Sequence, residues 1–316
     1  MPLPAEPAAA DPVEQQLTAL RAALTELGRD IAEVRVAVAA LVRGTLVDPE
    51  LAAPAQRLTL RRFSELSQNE EDGMLVAILS AAGTRTRRFV ELGCGTNGGN
   101  SGFLARELGW SGLMVDALPG AVAAMARFNT SRVRAVRAWI TREEVDALLE
   151  ENGFSGEIDL LSIDIDGNDF WVWERLEAVQ PRVVVIEYNA HFGPDRSVVV
   201  PYARHFDRHK QLKTYFGASL AAFERLGRRL GYRLVGTETR GANAFFVHDG
   251  VAPDLASCDA ATAFTPLLHK RVVHRAEILP QHGRQLVRAG EALYQHIETH
   301  GLPLIEIGED GQPALG

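Results

Sequence analysis

The segment FVELGCGTNGGNS, residues 89–101, decides the fold of this 316-residue chain. It opens with a short apolar run that carries an acid, Glu91, and it continues as a glycine-rich loop. Glycine lets the chain turn tightly and bring bare backbone N–H groups against a ligand. A strand, a glycine-rich loop and a helix-like stretch from Ser101 occur in order, which is typical of a nucleotide-binding turn.

A second acid, Asp116, strengthens this interpretation. It closes the next apolar run, GLMVDA, about twenty residues after the turn, where a carboxylate can accept hydrogen bonds from both hydroxyls of a ribose. A tight strand-to-helix turn without a ligand is the alternative. Because the turn, the acid and the ribose carboxylate occur together, we favour a ligand site.

The glycine loop alone fits two classes of cofactor. Gly93, Gly95 and Gly98 match the dinucleotide pattern G-x-G-x-x-G. Glu91 separates the two classes, because dinucleotide-binding turns usually carry an apolar residue two positions before the first glycine. An acid there suits a ligand with a positively charged end, such as the amino and sulfonium groups of S-adenosylmethionine.

At these residues the chain resembles the class I S-adenosylmethionine-dependent methyltransferases, whose first motif reads acid-x-Gly-x-Gly. Asn97 departs from the motif, since a third glycine is usual at that position. The resemblance implies a Rossmann-like α/β sandwich with a mostly parallel sheet and a terminal antiparallel hairpin. It also implies that the cofactor binds at Glu91, Gly93, Gly95, Asn97, Asp116, Ala138, Trp139 and Asp164, with Asp116 at the ribose, Ala138 or Trp139 at the adenine and Asp164 beside the methyl group.

Composition limits the compartment and the partners. The formal net charge of −8 argues against a general nucleic-acid binder, which normally has a basic surplus. Two cysteines, Cys94 and Cys258, suit a reducing compartment. We find no apolar run near the roughly 18 residues of a membrane span, and the start lacks a signal-peptide pattern. We therefore expect a cytoplasmic protein without a membrane or nucleic-acid partner.

The first 44 residues precede the α/β pattern. Residues 1–12 are rich in Ala and Pro, which predicts disorder. From Val13 to Leu41, apolar residues recur in alternating steps of four and three, which is a heptad seam of about four heptads. We predict an oligomerising helix over 13–44 that makes the protein a homo-oligomer, with an amphipathic helix packed on its own domain as the alternative.

Strands and helices alternate through the next part of the chain, so we place the methyltransferase domain at 56–250 and a C-terminal extension at 251–316. A helix is predicted over 58–82. Strands are predicted near 88–92, 112–117, 133–139, 158–164 and 182–188, with helices near 101–109, 119–128, 142–152 and 169–178. The alternation predicts a parallel sheet covered on both faces. A helix over 220–229, capped by Ser219, and a two-stranded hairpin should come next, and residues 280–300 can form a further helix.

Polar residues occur at the ends of two neighbouring strands. IDLLSIDIDGNDFWVWE, residues 158–174, carries Asp164 and Asp166, and RVVVIEYNAHFG carries Glu187 and Asn189. Because strand ends meet at one edge of a parallel sheet, these acids should lie together, where burial is costly without a partner. Mg²⁺ held by Asp164, Asp166, Glu187 and Asn189 is one solution. One of Asn168 and Asp169 should instead cap the next helix.

The same two segments resemble the FkbM-like branch of these methyltransferases, which implies O-methylation of a sugar or natural-product hydroxyl. The excursion after the second segment, residues 191–217, is predicted to cover the site and select the acceptor. His191 is the preferred general base, with a surface histidine as the alternative. His296 and His300 share a helical face, which we interpret as solvated and not as a zinc pair.

Three other functions stay open. An NAD(P)-dependent oxidoreductase would use the glycine pattern but gives no reason for Glu91. A catalytically idle S-adenosylmethionine-binding partner could be held in an assembly by the heptad helix. Methyl transfer to nitrogen or carbon is the third, because no residue in the sequence fixes the acceptor atom.

Overall fold

The chain divides into two compact units, Met1–Gly44 and Thr45–Gly316. The computed structural model describes Val13, 16–28, Ile31, Val34, Val38, 63–128, 131–210, 214–265, Ile297, Thr299 and 301–314. The predicted disorder of residues 1–12 lies outside the described residues. So do Leu41, most of the helix predicted over 280–300, and the pair His296 and His300.

In the first unit, the described residues from Val13 to Val38 are helical. The seven large apolar side chains of the seam from Val13 to Val34 are 49% to 63% exposed. The apolar stripe that the heptad spacing predicts therefore lies at the surface of this unit.

The second unit is built on a seven-stranded sheet in the order β3-β2-β1-β4-β5-β8-β7. The strands of this sheet are β1 Arg88–Leu92, β2 Ser111–Asp116, β3 Val133–Arg137, β4 Gly156–Ile163, β5 Val179–Glu187, β7 Tyr232–Thr237 and β8 Asn243–His248. Strands β1 to β5 pair in parallel, and β8 runs antiparallel between β5 and β7. This confirms the predicted parallel sheet with a terminal hairpin.

Seven α-helices lie among the described residues of this unit: α1 Glu71–Ala82, α2 Gly102–Arg106, α3 Pro119–Ala124, α4 Val145–Glu151, α5 Asp169–Arg175, α6 Leu220–Leu230 and α7 Ala260–Ala263. No helix in the described part of the chain is both long enough and apolar enough to cross a membrane. The helix predicted over 58–82 is wrong at its start, because residues 63–70 are not helical. The Asp72 carboxylate accepts backbone N–H bonds from Glu65, Leu66 and Ser67, which folds this segment back over the first turn of α1.

The core lies around β4 and β5, whose apolar residues are almost completely buried. Helices α5 and α6 cover one face with aromatic side chains. The Trp173 ring lies 5.0 Å from that of Phe246 and 6.3 Å from that of Phe223, measured between centroids. A sheet buried on both faces explains why its central strands are continuous apolar runs without an alternating polar face.

Ser219 links α6 to the excursion that precedes it. Its hydroxyl accepts the Ala222 N–H at 3.2 Å, which confirms the predicted cap, and it also accepts the Val198 N–H at 3.0 Å. The excursion carries a short strand, β6 (Val198–Val199), which pairs antiparallel with β9 (Ile305–Glu306). The C-terminal segment is therefore joined to the excursion by this strand pairing.

Candidate active site

Glu91 is enclosed beneath the glycine-rich turn. Its carboxylate accepts the backbone N–H groups of Asn100 at 3.1 Å and Ser101 at 2.9 Å, and the hydroxyls of Ser101 and Ser162. Its side chain has no exposed surface. Burial raises its pKa to about 7, although these hydrogen bonds act in the opposite direction. In this structure Glu91 therefore holds the turn, and its contact with a bound ligand stays a prediction.

Two glycines of the turn are required by close approach. A Cβ at Gly99 would lie 2.0 Å from a carboxylate oxygen of Glu91, and a Cβ at Gly93 would lie 1.7 Å from the carbonyl oxygen of Asp164. Both glycines also have positive φ angles. The turn after β1 therefore lies directly against the Glu91 carboxylate and against the end of β4. Its glycines leave the backbone without side chains, as a cofactor-binding turn requires.

Asp116, at the end of β2, joins two loops at the sheet edge. One carboxylate oxygen accepts the Gly95 N–H at 2.9 Å, and the other accepts the Leu118 N–H at 2.8 Å. The residue is buried at 8% exposure. Each carboxylate oxygen can accept a second hydrogen bond, so these contacts are compatible with ribose binding.

Asn97, Ala138 and Trp139 surround the same edge. The Asn97 amide donates to the Leu66 carbonyl at 2.8 Å, which ties the turn to the segment before α1. The Ala138 N–H donates to the Asp116 carbonyl at 3.1 Å. Trp139 is 46% exposed and its indole N–H donates to the Arg204 carbonyl at 2.9 Å. These contacts do not test the cofactor-binding roles of Asn97, Ala138 and Trp139, which stay predictions.

Three of the four predicted metal ligands come together. Carboxylate oxygens of Asp164, Asp166 and Glu187 all lie within 4.8 Å of one another. Asp166 has a positive φ of 58°, a conformation that aspartate tolerates better than most residues. It thereby turns the chain after β4 so that two acids two positions apart face the same place.

Burial and mutual repulsion act together in the acid cluster, defined as Asp164, Asp166 and Glu187. Burial raises the pKa of Asp164 well above its usual value, and the charges of Asp166 and Asp169 raise it further. Burial also raises the pKa of Glu187, and the charges of Asp164 and Asp166 add to this effect. One oxygen of Glu187, Oε2, is buried and has no hydrogen-bond partner. The cluster therefore favours a proton, a cation or a hydrogen-bond donor.

Arg208 supplies positive charge to the acid cluster from the excursion. Its guanidinium pairs with Asp166, lies 3.8 Å from Glu187 and sits 3.9 Å from the centroid of the Phe216 ring. It lowers the pKa of Glu187, against the larger effect of burial. Arg208 is not among the residues singled out from the sequence, although a cationic residue in a loop expected to cover acids was a usable signal.

Asn189 and His191 form a separate pair beside the acid cluster. The Asn189 amide nitrogen donates to the carbonyls of Thr214 and Phe216, at 2.8 and 2.9 Å. Its oxygen accepts the His191 backbone N–H at 3.0 Å and lies 3.1 Å from Nδ1 of the His191 ring. Because the Asn189 oxygen is engaged by His191, its role as a metal ligand stays a prediction.

The predicted cap of α5 by a side chain is wrong. Asn168 occupies the N-cap position, but its side chain makes no cap bond and donates to the Ala203 carbonyl at 2.8 Å. The Asp169 carboxylate accepts the N–H groups of Ile165 and Gly167, both at 2.8 Å. Because Asp169 faces back into the loop, it shapes the segment that presents Asp164 and Asp166.

The excursion after β5 lies over the loops at the ends of β3 and β4. Its carbonyls accept from Trp139, Asn168 and Trp171. The Phe206 ring lies only 2.2 Å from the position that a Cβ at Gly167 would occupy, so only glycine fits there. The excursion therefore contacts both the predicted adenine side and the acid cluster.

The sheet has five parallel strands, β1 to β5, with a glycine turn after β1 and the antiparallel strand β8 beside β5. This arrangement is that of the class I S-adenosylmethionine-dependent methyltransferases. Residues 79–234 match the model of the methyltransferase FkbM domain. The chain is therefore a class I S-adenosylmethionine-dependent methyltransferase, and over residues 79–234 it is similar to the FkbM family.

Solved structures give weaker similarities. The O-methyltransferase from Bacillus cereus in complex with S-adenosyl-L-homocysteine is 19% identical, with 48% of this chain and 69% of that chain covered and a TM-score of 0.31. The O-methyltransferase NcsB1 from neocarzinostatin biosynthesis is also 19% identical, with 57% of each chain covered and a TM-score of 0.31. Both TM-scores are low, so neither match carries weight for the substrate. None of the curated proteins matches the sequence.

Replacing Glu91 with glutamine should change how stability depends on pH. The folded pKa of about 7 lies above the ordinary value of 4.5, so the folded protein holds this proton more tightly than the unfolded one. The free energy of unfolding should therefore fall as the pH rises between these values, with Glu91 contributing about 3 kcal/mol of the fall. Urea unfolding at pH 5 and pH 8 should show a fall smaller by about this amount in Glu91→Gln. Glu150→Gln, at an exposed position of α4, is the control, and an unchanged pH dependence in Glu91→Gln would contradict the prediction.

Proposed function

We propose that the protein transfers the methyl group of S-adenosylmethionine to a hydroxyl of a sugar or other natural product. The observation that carries this proposal is the contact between the cofactor turn and the acid cluster, since Gly93 lies directly against Asp164. An acidic surface beside the methyl donor suits an acceptor with several hydroxyls, because carboxylates accept hydrogen bonds from O–H groups. The same acidic surface also favours binding of the positively charged end of the cofactor.

His191 is proposed as the general base. The amide of Asn189 is fixed by Thr214 and Phe216, so its oxygen faces the His191 ring. An oxygen in that position accepts from Nδ1–H, which places the basic lone pair of the neutral ring at Nε2. Asn189 thus selects the tautomer that can take a proton from an acceptor hydroxyl.

When bound, S-adenosylmethionine supplies an electrophilic methyl group. The residues of the chain hold the acceptor oxygen in line with the methyl group and remove its proton, which are the two contributions that this transfer needs from a protein. Glu91, Gly93 and Gly95 would hold the cofactor, which would supply its methyl group to the acceptor oxygen and leave as S-adenosylhomocysteine, and His191 would take the hydroxyl proton. Asp164, at the end of β4, lies beside the transferred group in this arrangement.

Titration should show that the protein binds S-adenosylmethionine and not NAD, and His191→Ala should keep that affinity. Its methylation rate on a hydroxylated acceptor should fall by about 10²-fold or more, because the base is lost. Labelled-methyl transfer to a panel of hydroxylated, amine and carbon acceptors provides the rate. His248→Ala, at the end of β8 opposite to the candidate site, is the matched control. A near-normal rate in His191→Ala would remove it as base, and binding without turnover on any acceptor would favour an idle partner.

We also propose that Mg²⁺ assists the reaction at the acid cluster. Three close carboxylates and the unpaired Oε2 of Glu187 fit a hard cation. Asp164, Asp166 and Glu187 would hold it. Asn189, the fourth ligand that the sequence predicts, would join them only if its oxygen left His191. A bound cation would orient acceptor hydroxyls and lower the pKa of one of them. Arg208 already neutralises two of the acids, so it should compete with the metal.

This competition gives the test for Mg²⁺. Arg208→Ala should bind Mg²⁺ roughly tenfold more tightly than the wild type, because a positive charge in contact with two ligands is removed. Isothermal titration with MgCl₂ measures the affinity, and methyl transfer after EDTA treatment measures the requirement. Arg204→Ala is the control, since Arg204 pairs with Glu144 outside the acid cluster. Full activity in EDTA together with no heat of Mg²⁺ binding would contradict the metal.

A third proposal is that residues 13–44 join copies of the chain. The exposed seam from Val13 to Val34 is what a partner helix would bury. A narrow a/d stripe on a helix favours a second helix of the same kind over a broad protein surface. The partner that we propose is therefore a second copy of this chain.

Leu24→Asp should dissociate this oligomer, because it places a charge at an a position of the seam. Ala22→Asp changes an f position, on the opposite face of the same helix, and should leave the assembly intact. Light scattering coupled to size exclusion reports the mass of each variant. A wild-type monomer, or the same mass for Leu24→Asp and wild type, would contradict self-association.

A further inference from the structure

Asn243 begins β8 and lies opposite Glu187, the last residue of β5, in the antiparallel pairing. Directly opposed residues of an antiparallel pair project from the same face of the sheet, with Cβ atoms about 4.5–5.5 Å apart. The Asn243 side chain is therefore a neighbour of the acid cluster from a strand that the sequence does not connect with the site. Only 4% of Asn243 is exposed.

Glu71 fixes the orientation of the Asn243 amide. The amide nitrogen of Asn243 donates to Oε1 of Glu71 at 2.9 Å. Glu71 is itself fully buried and is held by the backbone and side-chain nitrogens of Asn69, both at 2.8 Å. A carboxylate only accepts hydrogen bonds, so the reversed amide would set oxygen against oxygen. The Asn243 oxygen is thereby directed away from Glu71.

Two acceptor atoms on this face are buried and unpaired. They are Oδ1 of Asn243 and Oε2 of Glu187. Buried polar atoms without a partner are uncommon because they lose their hydrogen bonds with water and gain none in return. Because the two acceptors belong to directly opposed residues, one ligand with two neighbouring hydrogen-bond donors could satisfy both.

From this geometry we infer that Asn243 is an acceptor-binding residue, which receives a hydrogen bond from a hydroxyl next to the one that is methylated. The acceptor is then a sugar ring with neighbouring hydroxyls. One donates to Asn243 Oδ1 and another to Glu187, while the hydroxyl that is methylated gives its proton to His191. Glu71 is the positioning residue that keeps the Asn243 oxygen turned toward the acceptor. The inference rests on the proposed methyl transfer to a hydroxyl.

An acceptor-binding role for Asn243 explains a feature that a metal alone leaves unexplained. Mg²⁺ would satisfy the oxygens of the acid cluster but gives no reason for a buried amide held by a dedicated carboxylate. A site built to accept a substrate hydroxyl discriminates strongly against an analogue without it, because the buried acceptor is then left unpaired. Asn243 should therefore control which acceptor is used and not how tightly the cofactor binds.

The test uses the full chain and the methyl glycosides of glucose, galactose, mannose and rhamnose, each compared with its monodeoxy analogues. With the best glycoside, Asn243→Ala should raise KM about tenfold or more and reduce the preference over the analogue that lacks the neighbouring hydroxyl to about one. Glu71→Gln keeps the shape of the side chain and should lose part of the same preference. Asn152→Ala, which removes an amide from the end of α4, should change neither quantity.

The outcomes separate this inference from the proposed function. Unchanged discrimination by a folded Asn243→Ala or Glu71→Gln variant, with normal S-adenosylmethionine affinity by titration, overturns the role of Asn243. Normal S-adenosylmethionine binding with turnover of non-sugar hydroxyls alone overturns the sugar diol but leaves methyl transfer to oxygen standing. Absence of S-adenosylmethionine binding overturns the proposed function and this inference together. Thermal melting of each variant confirms that it is folded.

Discussion

The burial of the Glu91 carboxylate beneath the glycine turn is the interaction on which the rest of the site depends. It joins β1 to the start of α2 through Asn100 and Ser101, and to β4 through Ser162. Burying a carboxylate is costly unless it is hydrogen-bonded, and here donors from two segments, the start of α2 and β4, converge on it. The backbone of the turn is thereby held in one shape, and Gly99 is required because the acid lies directly beneath it. The same carboxylate links the turn to the acids at the sheet edge, because Ser162 lies two residues before Asp164 on β4 and Gly93 lies against the carbonyl of Asp164.

Local patterns account for the parts of the fold and site that could be predicted from the sequence. The strands β1, β2 and β4 and the helices between them correspond to apolar runs separated by glycine and polar turns. Asp164, Asp166 and Glu187 could be placed together because parallel strands end at one edge. The start of α1 could not be predicted, since it depends on Asp72 capturing three backbone N–H groups, and a helical pattern extends through that segment.

Long-range contacts set the second limit on what could be predicted from the sequence. Asn243 meets Glu187 only because β8 inserts between β5 and β7, and the distance along the chain between them gives no signal of this. Arg208 reaches the acid cluster because the excursion folds back over the sheet edge, and its path depends on side-chain contacts such as Phe206 against Gly167. Asn243 could therefore be recognised only from the fold, whereas Arg208 also carried a sequence signal as a cation in a loop expected to cover acids.

The excursion is itself positioned by the end of the chain. β9 pairs with β6, and Ile297 packs in one apolar cluster with Phe192, Val198, Val200 and Tyr215. The Tyr215 hydroxyl also donates to the Pro303 carbonyl. Because Asn189 is held by the carbonyls of Thr214 and Phe216, on either side of Tyr215, the C-terminal segment supports the residues that orient His191. The sequence divides the chain into a methyltransferase domain and an extension, but in the folded protein the extension helps to build the acceptor side of the proposed active site.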